Sequence, residues 1–397
     1  MSEQRPAPGW DAAQEILCVR LGTAGDLLMT TPAIRALRVG NSEARITLLT
    51  SPAAAPAARL LPFVDRVMEH AAPRVARSLS LISSVADRRL VEELRAGRFD
   101  AAVIFTASGQ SPLPAALATC LADIPLRLAH CRENPDQLLT DWVPHPEADM
   151  PARHEVTRQL ALVESVGFAA DGAYLSLRVP PAAAQRVRTM LTELGIDGER
   201  WLVVHPGASA PLPPRRDPAE SLAAAIRSLA RDHGRRVVLA GGPDEVPLTA
   251  RIARLAGAGT ARAGNGNARA GARDAVVDLA GQLDLGQLAA LVARAPALVA
   301  CETGVANDTG VAHVAAAVGT PVVVVDARPR PEQAPWGVPS RVLVDDERGV
   351  EPARLVAAVD EVVADWRAWR GILDPPIRPG FPAVEGPAPR TARQAHA

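Results

Sequence analysis

The sequence predicts an α/β chain of two domains, and three observations carry that expectation. Its 397 residues exceed what one hydrophobic core usually holds, which favours two. A strand, loop, helix alternation runs through the segment near the start. The same alternation begins again at Trp201, after a middle stretch rich in proline and charge.

The first alternation opens with EILCVR (15–20), a short β-rich run, followed by the glycine-containing loop LGTAGD. LLMTTPAIRALR (27–38) has apolar positions at helical spacing, interrupted by Pro32. RITLLT (45–50) and FDAAVIF (99–105) read as further strands, so the grammar is βαβ and the sheet parallel. LRVPPAAA, Leu177 to Ala184, breaks both periods and marks the boundary. Beyond it WLVVHPG (201–207), the helical SLAAAIRSLARDHG (221–234), RRVVLAGG (235–242), LGQLAALVARA, ALVAC (297–301) and TPVVVV (320–325) alternate as a second Rossmann-like unit. An amphipathic segment over 351–370 is expected to pack across one of the two domains.

Composition excludes several function classes. With 43 basic and 44 acidic residues the net charge is -1, so no global field recruits nucleic acid or an anionic membrane. The four cysteines, Cys18, Cys120, Cys131 and Cys301, form no CxxC pair, against both a zinc site and a disulfide framework. Buried, reduced thiols are expected. MSEQRPAPGWDAAQE at the start has neither a basic n-region nor an apolar h-region, and no uncharged apolar run reaches about 18 residues, so a cytosolic chain is expected. The Pro-, Ala- and Arg-rich stretch from Asp374 onward reads as disordered.

Four loops fall where open α/β sheets bind ligands, at the carboxyl ends of strands. In Gly22-Thr23-Ala24-Gly25-Asp26 the glycines permit a tight turn and Asp26 stands at a helix start. It reads either as a helix cap or as a general base for an attacking hydroxyl. His205-Pro206-Gly207-Ala208-Ser209, followed by Arg215 and Arg216, reads as a phosphate loop or as an ordinary solvated connection. Gly241-Gly242-Pro243-Asp244-Glu245 places Glu245 within reach of a ribose hydroxyl, or is simply a tight turn.

The fourth loop repeats itself: Glu302-Thr-Gly-Val-Ala-Asn307 is followed by Asp308-Thr-Gly-Val-Ala-His313. In the second copy Thr309 and Gly310 open a helix and offer N–H groups to a phosphate, with His313 on the first turn. The first copy has Asn307 in place of that histidine and no helical run directly after it. A hydrogen-bonded histidine beneath the loop is the alternative reading of His313.

IxxxRLxxxGDLLxTTPAxRALR near the start, HPGAS, LAGGPDE and NDTGVAHVAAAVGTPVVV, in that order over roughly 15–345, resemble glycosyltransferase family 9, the heptosyltransferase family. The resemblance implies a GT-B fold, two Rossmann-like domains facing across a cleft, the acceptor on the N-terminal half and the nucleotide-sugar on the C-terminal half. It implies inverting transfer of a heptose or similar sugar from an ADP-sugar or other nucleotide-sugar to a hydroxyl of a glycan or glycolipid. Asp26 matches the family's catalytic base, with Thr23 and Gly25 in its supporting loop. Ser209 and Arg215 match donor-phosphate contacts, Glu245 a ribose contact, and Asp308, Thr309, Gly310 and His313 the nucleotide motif. No metal and no resident cofactor are implied, and no Asp-x-Asp spacing is present.

The resulting organisation is a flexible N-terminus (1–14), an acceptor domain (15–178), a nucleotide-sugar domain (179–348), a C-terminal helix (349–373) and a disordered tail (374–397). Expected partners are the donor and the glycan or glycolipid acceptor, without nucleic acid. The expected location is cytoplasmic, at the inner face of the membrane, with peripheral association. The alternatives are a non-catalytic nucleotide-binding relative and a sugar-nucleotide epimerase. ETGVAN looks like a six-residue insertion relative to the family, and Asp326-Ala-Arg-Pro-Arg330 replaces its usual Phe-Gly-Pro-Thr-like turn. Asp217 stands where a tryptophan is common. The arginines Arg74, Arg77, Arg88, Arg89, Arg95 and Arg98 read as a solvated helix face, or as attraction for an anionic acceptor.

Overall fold

A computed structural model of the chain describes residues 9–71, 85–132, 135–144, 153–207, 218–257, 275–302, 310–344 and 350–372. The described chain divides between Ser176 and Leu177 into two compact units. In the first, the strands are β1 (Glu15–Arg20), β2 (Arg45–Thr50), β3 (Arg66–Glu69), β4 (Ala101–Ile104), β5 (Leu126–Cys131) and β6 (Asp141–Pro144). Its helices are α1 (Ala24–Gly40), α2 (Ala55–Ala58), α3 (Val85–Ala96), α4 (Leu113–Leu121) and α5 (Glu155–Glu164).

The second unit holds β7 (Trp201–His205), β8 (Arg236–Leu239), β9 (Val276–Asp278), β10 (Leu298–Glu302), β11 (Val322–Asp326) and β12 (Ser340–Val344). Its helices are α6 (Pro181–Glu193), α7 (Pro218–Arg231), α8 (Val246–Leu255), α9 (Leu285–Val292), α10 (Val311–Ala317) and α11 (Pro352–Ile372). Helix α11 packs against α7, β11 and β12 of this unit, seating Leu355, Val359 and Val362 in a core with Ile226, Leu229 and Val323.

The two sheets share one plan. Strand order is β3-β2-β1-β4-β5-β6 in the first and β12-β11-β10-β7-β8-β9 in the second, and every described pair is parallel. In each, the first strand of the unit lies between its successor and the fourth strand, so the winding reverses beside β1 and beside β7. That reversal opens a crevice at the carboxyl ends of the strands, where α/β sheets bind ligands. The central strands are apolar because helices cover both faces: β4 and β7 are buried throughout. The fold is therefore the α/β architecture of two Rossmann-like sheets.

Pro32 does not interrupt α1, contrary to the sequence reading. The proline lacks the N–H that would reach the Leu28 carbonyl, but the Thr31 hydroxyl donates to that carbonyl instead, at 2.7 Å, and the helix runs 17 residues unbroken. None of the four cysteines forms a disulfide, three of them are buried, and burial pushes the Cys18 thiol up to about 12, which makes it inert at neutral pH. Arg88, Arg89 and Arg95 line the exposed side of α3 while Leu90, Val91 and Leu94 face the core; Arg98 is exposed beyond the helix. Arg74, Arg77 and the tail from 374 lie outside the described residues. Among those residues no helix is long and apolar enough to cross a membrane.

Candidate functional site

At the carboxyl end of β1 the chain turns through Leu21 and Gly22 into α1. Thr23 is the N-cap, and Asp26, three residues on, completes a capping box. Asp26 Oδ2 accepts from the Thr23 N–H at 2.9 Å and from its hydroxyl at 3.1 Å, and the Asp26 N–H returns to Thr23 Oγ1 at 3.2 Å. Gly22 is required because a Cβ there would lie 2.5 Å from Asp26 Oδ2. Gly25 is buried in the first turn.

Asp26 is more than a cap. Arg20, the last residue of β1 and fully buried, places Nη2 2.9 Å from Asp26 Oδ1, while its Nε and Nη1 donate to the Asp26 and Phe105 carbonyls at 3.3 and 3.4 Å. An ion pair with charge-assisted hydrogen bonds keeps the carboxylate as the anion. The Asp26 side chain remains 11 % exposed, so solvent or a ligand reaches it. Ser51 donates to the Gly22 carbonyl at 2.6 Å and Thr50 to the Arg20 carbonyl at 2.8 Å, so β2 also fixes the turn.

A second polar layer lies across the switch point, after β4. Glu155, at the start of α5 and fully buried, accepts from the Ser108 N–H at 2.8 Å, from Gln159 at 2.8 Å and from Arg158 at 3.4 Å. Arg158 and Gln159 both donate to the Thr106 carbonyl, and His130 Nε2 lies 2.9 Å from the Arg158 carbonyl. Burial lowers the Arg158 guanidinium against the pull of Glu155, and the charges of Arg20 and Arg132 lower it further. Three cations therefore gather around this end of the first sheet. Neither Arg20 nor this layer was singled out from sequence. A charged residue closing a buried strand, and the E-x-x-R spacing on α5, were the available signals.

In the second unit the carboxyl ends of β7 and β8 bring His205 and Glu245 together, His205 Nε2 lying 3.4 Å from Glu245 Oε2. The same oxygen accepts from the Gly242 N–H at 2.5 Å. Burial alone would raise the Glu245 carboxyl; the His205 ring and the Gly242 N–H outweigh it and hold the group below its ordinary value. Sequence reading named Glu245 and left His205 without a role. Asp278, ending β9, accepts from Thr249 at 3.0 Å and from the Ala280 N–H at 3.0 Å, which ties α8 to the sheet.

Gly310 takes φ +65 before α10, a conformation that favours glycine. His313 on the first turn of that helix is 2 % exposed. Asp326, the last residue of β11, accepts from the Arg328 N–H at 2.8 Å, so it caps the turn that follows while Arg328 and Arg330 are exposed. Ser209, Arg215, Asp217, Asp308, Thr309 and the segment 303–307 of the first copy lie outside the described residues. Among those described, no group of three or more His, Cys, Asp and Glu side chains is placed to hold a metal ion.

A family profile described as glycosyltransferase family 9 (heptosyltransferase) matches residues 87–348, more than half of the chain. The β1 turn with Asp26 precedes that span. Among solved structures, a glycosyl transferase family 9 protein from Veillonella parvula is similar at 16% identity and TM-score 0.67, over 89% of this chain and 97% of that one. The E. coli ADP-heptose lps heptosyltransferase II matches at 23% identity and TM-score 0.64, over 89% and 100%. The E. coli heptosyltransferase WaaC with ADP matches at 20% identity and TM-score 0.58, over 90% and 100%. These likenesses establish the fold, that of GT-B enzymes. A search of curated proteins matches nothing.

Proposed function

The chain belongs to glycosyltransferase family 9, the heptosyltransferase family, and on that premise we propose an inverting transfer of a heptose or similar sugar from an ADP-linked nucleotide-sugar to a glycan or glycolipid hydroxyl. The observation that carries the proposal is the Asp26 carboxylate, held anionic by Arg20 at 2.9 Å at the switch point of the first sheet. A general base must start as the anion and sit where a hydroxyl can reach it. Asp26 takes the acceptor's proton as that oxygen attacks the anomeric carbon and the nucleoside diphosphate departs.

Glu245 belongs in this proposal as the ribose contact, since a buried carboxylate held in the anionic form accepts strongly from hydroxyl donors. Ser209, Arg215, Asp308 and Thr309 retain the diphosphate roles that their motif matches imply, with Gly310 and His313 completing the nucleotide loop. Arg20 and Arg158 are paired with Asp26 and Glu155, which leaves exposed Arg132 as the charge that favours an anionic acceptor. The proposal includes a reaction without metal or resident cofactor, in the cytoplasm at the inner face of the membrane.

One observation favours a second reading. Both Asp26 oxygens already hold partners, Arg20 on one and Thr23 on the other, which suits a helix cap in a nucleotide-binding relative without turnover. The discriminating experiment measures melting of the purified chain with ADP, UDP, GDP, CDP and dTDP, and transfer from ADP-heptose in the presence of EDTA. A ligand at about 100 times its dissociation constant adds roughly 2.7 kcal/mol. Selective stabilisation by ADP with turnover supports the proposal; selective stabilisation without turnover on any glycan acceptor supports the second reading. Silence across the panel sinks the donor assignment.

A further inference from the structure

We propose that His205 is a positioning residue for nucleotide binding, acting through Glu245 to aim one carboxylate oxygen at the ribose. The inference rests on the reading of Glu245 as the ribose contact and goes beyond it. His205 closes β7 and Glu245 follows β8, strands paired in register from Trp201↔Arg236 to Val204↔Leu239, so the sheet brings the end of β7 beside the turn that carries Glu245, where the two side chains meet.

Everything that restrains the Glu245 carboxylate falls on a single oxygen. Oε2 lies 3.4 Å from His205 Nε2 and 2.5 Å from the Gly242 nitrogen, and a Cβ on Gly241 would come within 2.9 Å of it. Oε1 takes no hydrogen bond among the described residues. The Gly242 contact alone is an ordinary capping interaction, made at one atom. Adding His205 from the end of the neighbouring strand gives that oxygen a second partner from another direction, which narrows the orientations open to the carboxylate and so the directions in which Oε1 can face. A glutamate otherwise has three rotatable bonds to order on binding, and prior ordering is what converts a polar contact into affinity.

His205 is suited to this and to little else in its surroundings. It is 4 % exposed, so water does not compete for Nε2, and its Nδ1 has no partner among the described residues. Nε2 is the ring atom that faces the carboxylate, at 3.4 Å.

The test compares binding of ADP, 2′-deoxy-ADP and 3′-deoxy-ADP to the full chain and to Glu245→Gln, His205→Leu and His205→Gln, with the apo melting temperature of each. In the wild type, loss of the contacted hydroxyl weakens binding by about tenfold or more. Glu245→Gln and His205→Leu both erase most of that preference, and the double variant loses no more than Glu245→Gln alone. His205→Gln, whose amide nitrogen reaches the place of Nε2, restores it. His205→Asn, whose amide stops short, repeats the loss if the leucine variant does not fold. A preference absent from the wild type, or kept in Glu245→Gln, overturns the ribose reading and this inference with it. A preference lost in Glu245→Gln but kept in His205→Leu or His205→Asn overturns the positioning role alone.

Discussion

The Arg35 guanidinium carbon lies 3.5 Å from the centroid of the Tyr174 ring, a stacking contact between α1 and the last segment of the first unit. From that position Nε donates to the Asp171 carbonyl at 2.9 Å, Nη2 to the Gly172 carbonyl at 2.8 Å and Nη1 to the Tyr174 carbonyl and Ser176 hydroxyl at 3.0 Å each. One side chain, 2 % exposed, thus satisfies a strand of backbone that no sheet pairs.

Replacing Arg35 by Met keeps the apolar stem and removes every donor, so three carbonyls and a hydroxyl lose a charged partner. The expected cost is about 3 kcal/mol or more, and Arg35→Lys recovers only a minor part because an ammonium cannot form the planar fork. Urea unfolding reads this as a lower midpoint at unchanged slope. A shift below about 1 kcal/mol would contradict it.

Thr31 carries two jobs on one oxygen. Its hydroxyl donates to the Leu28 carbonyl that Pro32 leaves open, and accepts from the Ser176 N–H at 3.0 Å. Thr31→Val leaves both buried groups unpaired at nearly constant volume, for an expected loss of about 2–3 kcal/mol. The companion change Pro32→Ala returns a main-chain donor to Leu28, so the double variant recovers part of the loss in the same urea titration.

Asp26→Asn is expected to reduce transfer by about 10² or more while ADP binding stays within a few-fold of wild type. It also leaves Arg20 without its countercharge, and melting falls as well. Gly22→Ala separates the two effects, because the added Cβ displaces the carboxylate without removing it. Transfer should fall about tenfold or more. Full activity in either variant would leave Asp26 with capping alone.

The sign of the Glu245 contribution to stability follows from its lowered carboxyl. A group whose folded value is depressed stabilises fully above its ordinary value of 4.5 and loses that contribution as pH falls through the folded value. Wild type should therefore lose melting temperature below pH about 4.5 more steeply than Glu245→Gln. Parallel curves for the two proteins would show that the Glu245 carboxylate and its contacts with His205 and Gly242 contribute nothing.

Most central strands were readable because burial on both faces leaves a nearly uninterrupted apolar run, as in EILCVR and WLVVH; LRLAHC, broken by Arg127 and His130, was not. Three of the four edge strands were not. RVME, DWVP and SRVLV carry charge or proline and turn alternate side chains to solvent, which is how an edge avoids pairing with another chain. The site divides similarly. Asp26 was legible because its turn and its partner Thr23 are local, three residues apart. Glu155 was not, because the Ser108 N–H and Thr106 carbonyl that give its cluster meaning arrive from the loop after β4, far away in sequence. His205 was visible as a letter in a motif but acquires a role only when β7 and β8 pair.

The shared strand order also has a timetable. In each unit the first strand made is flanked on one side by the fourth, so it cannot be enclosed until the chain has moved well on. For Trp201–His205 the missing neighbour is Leu298–Glu302, and at ordinary elongation rates it arrives about 5–20 s later. Through that interval the nascent chain holds a largely apolar strand with one edge open, a template for other chains. The same exposure occurs twice in making this protein, since β1 likewise waits for β4.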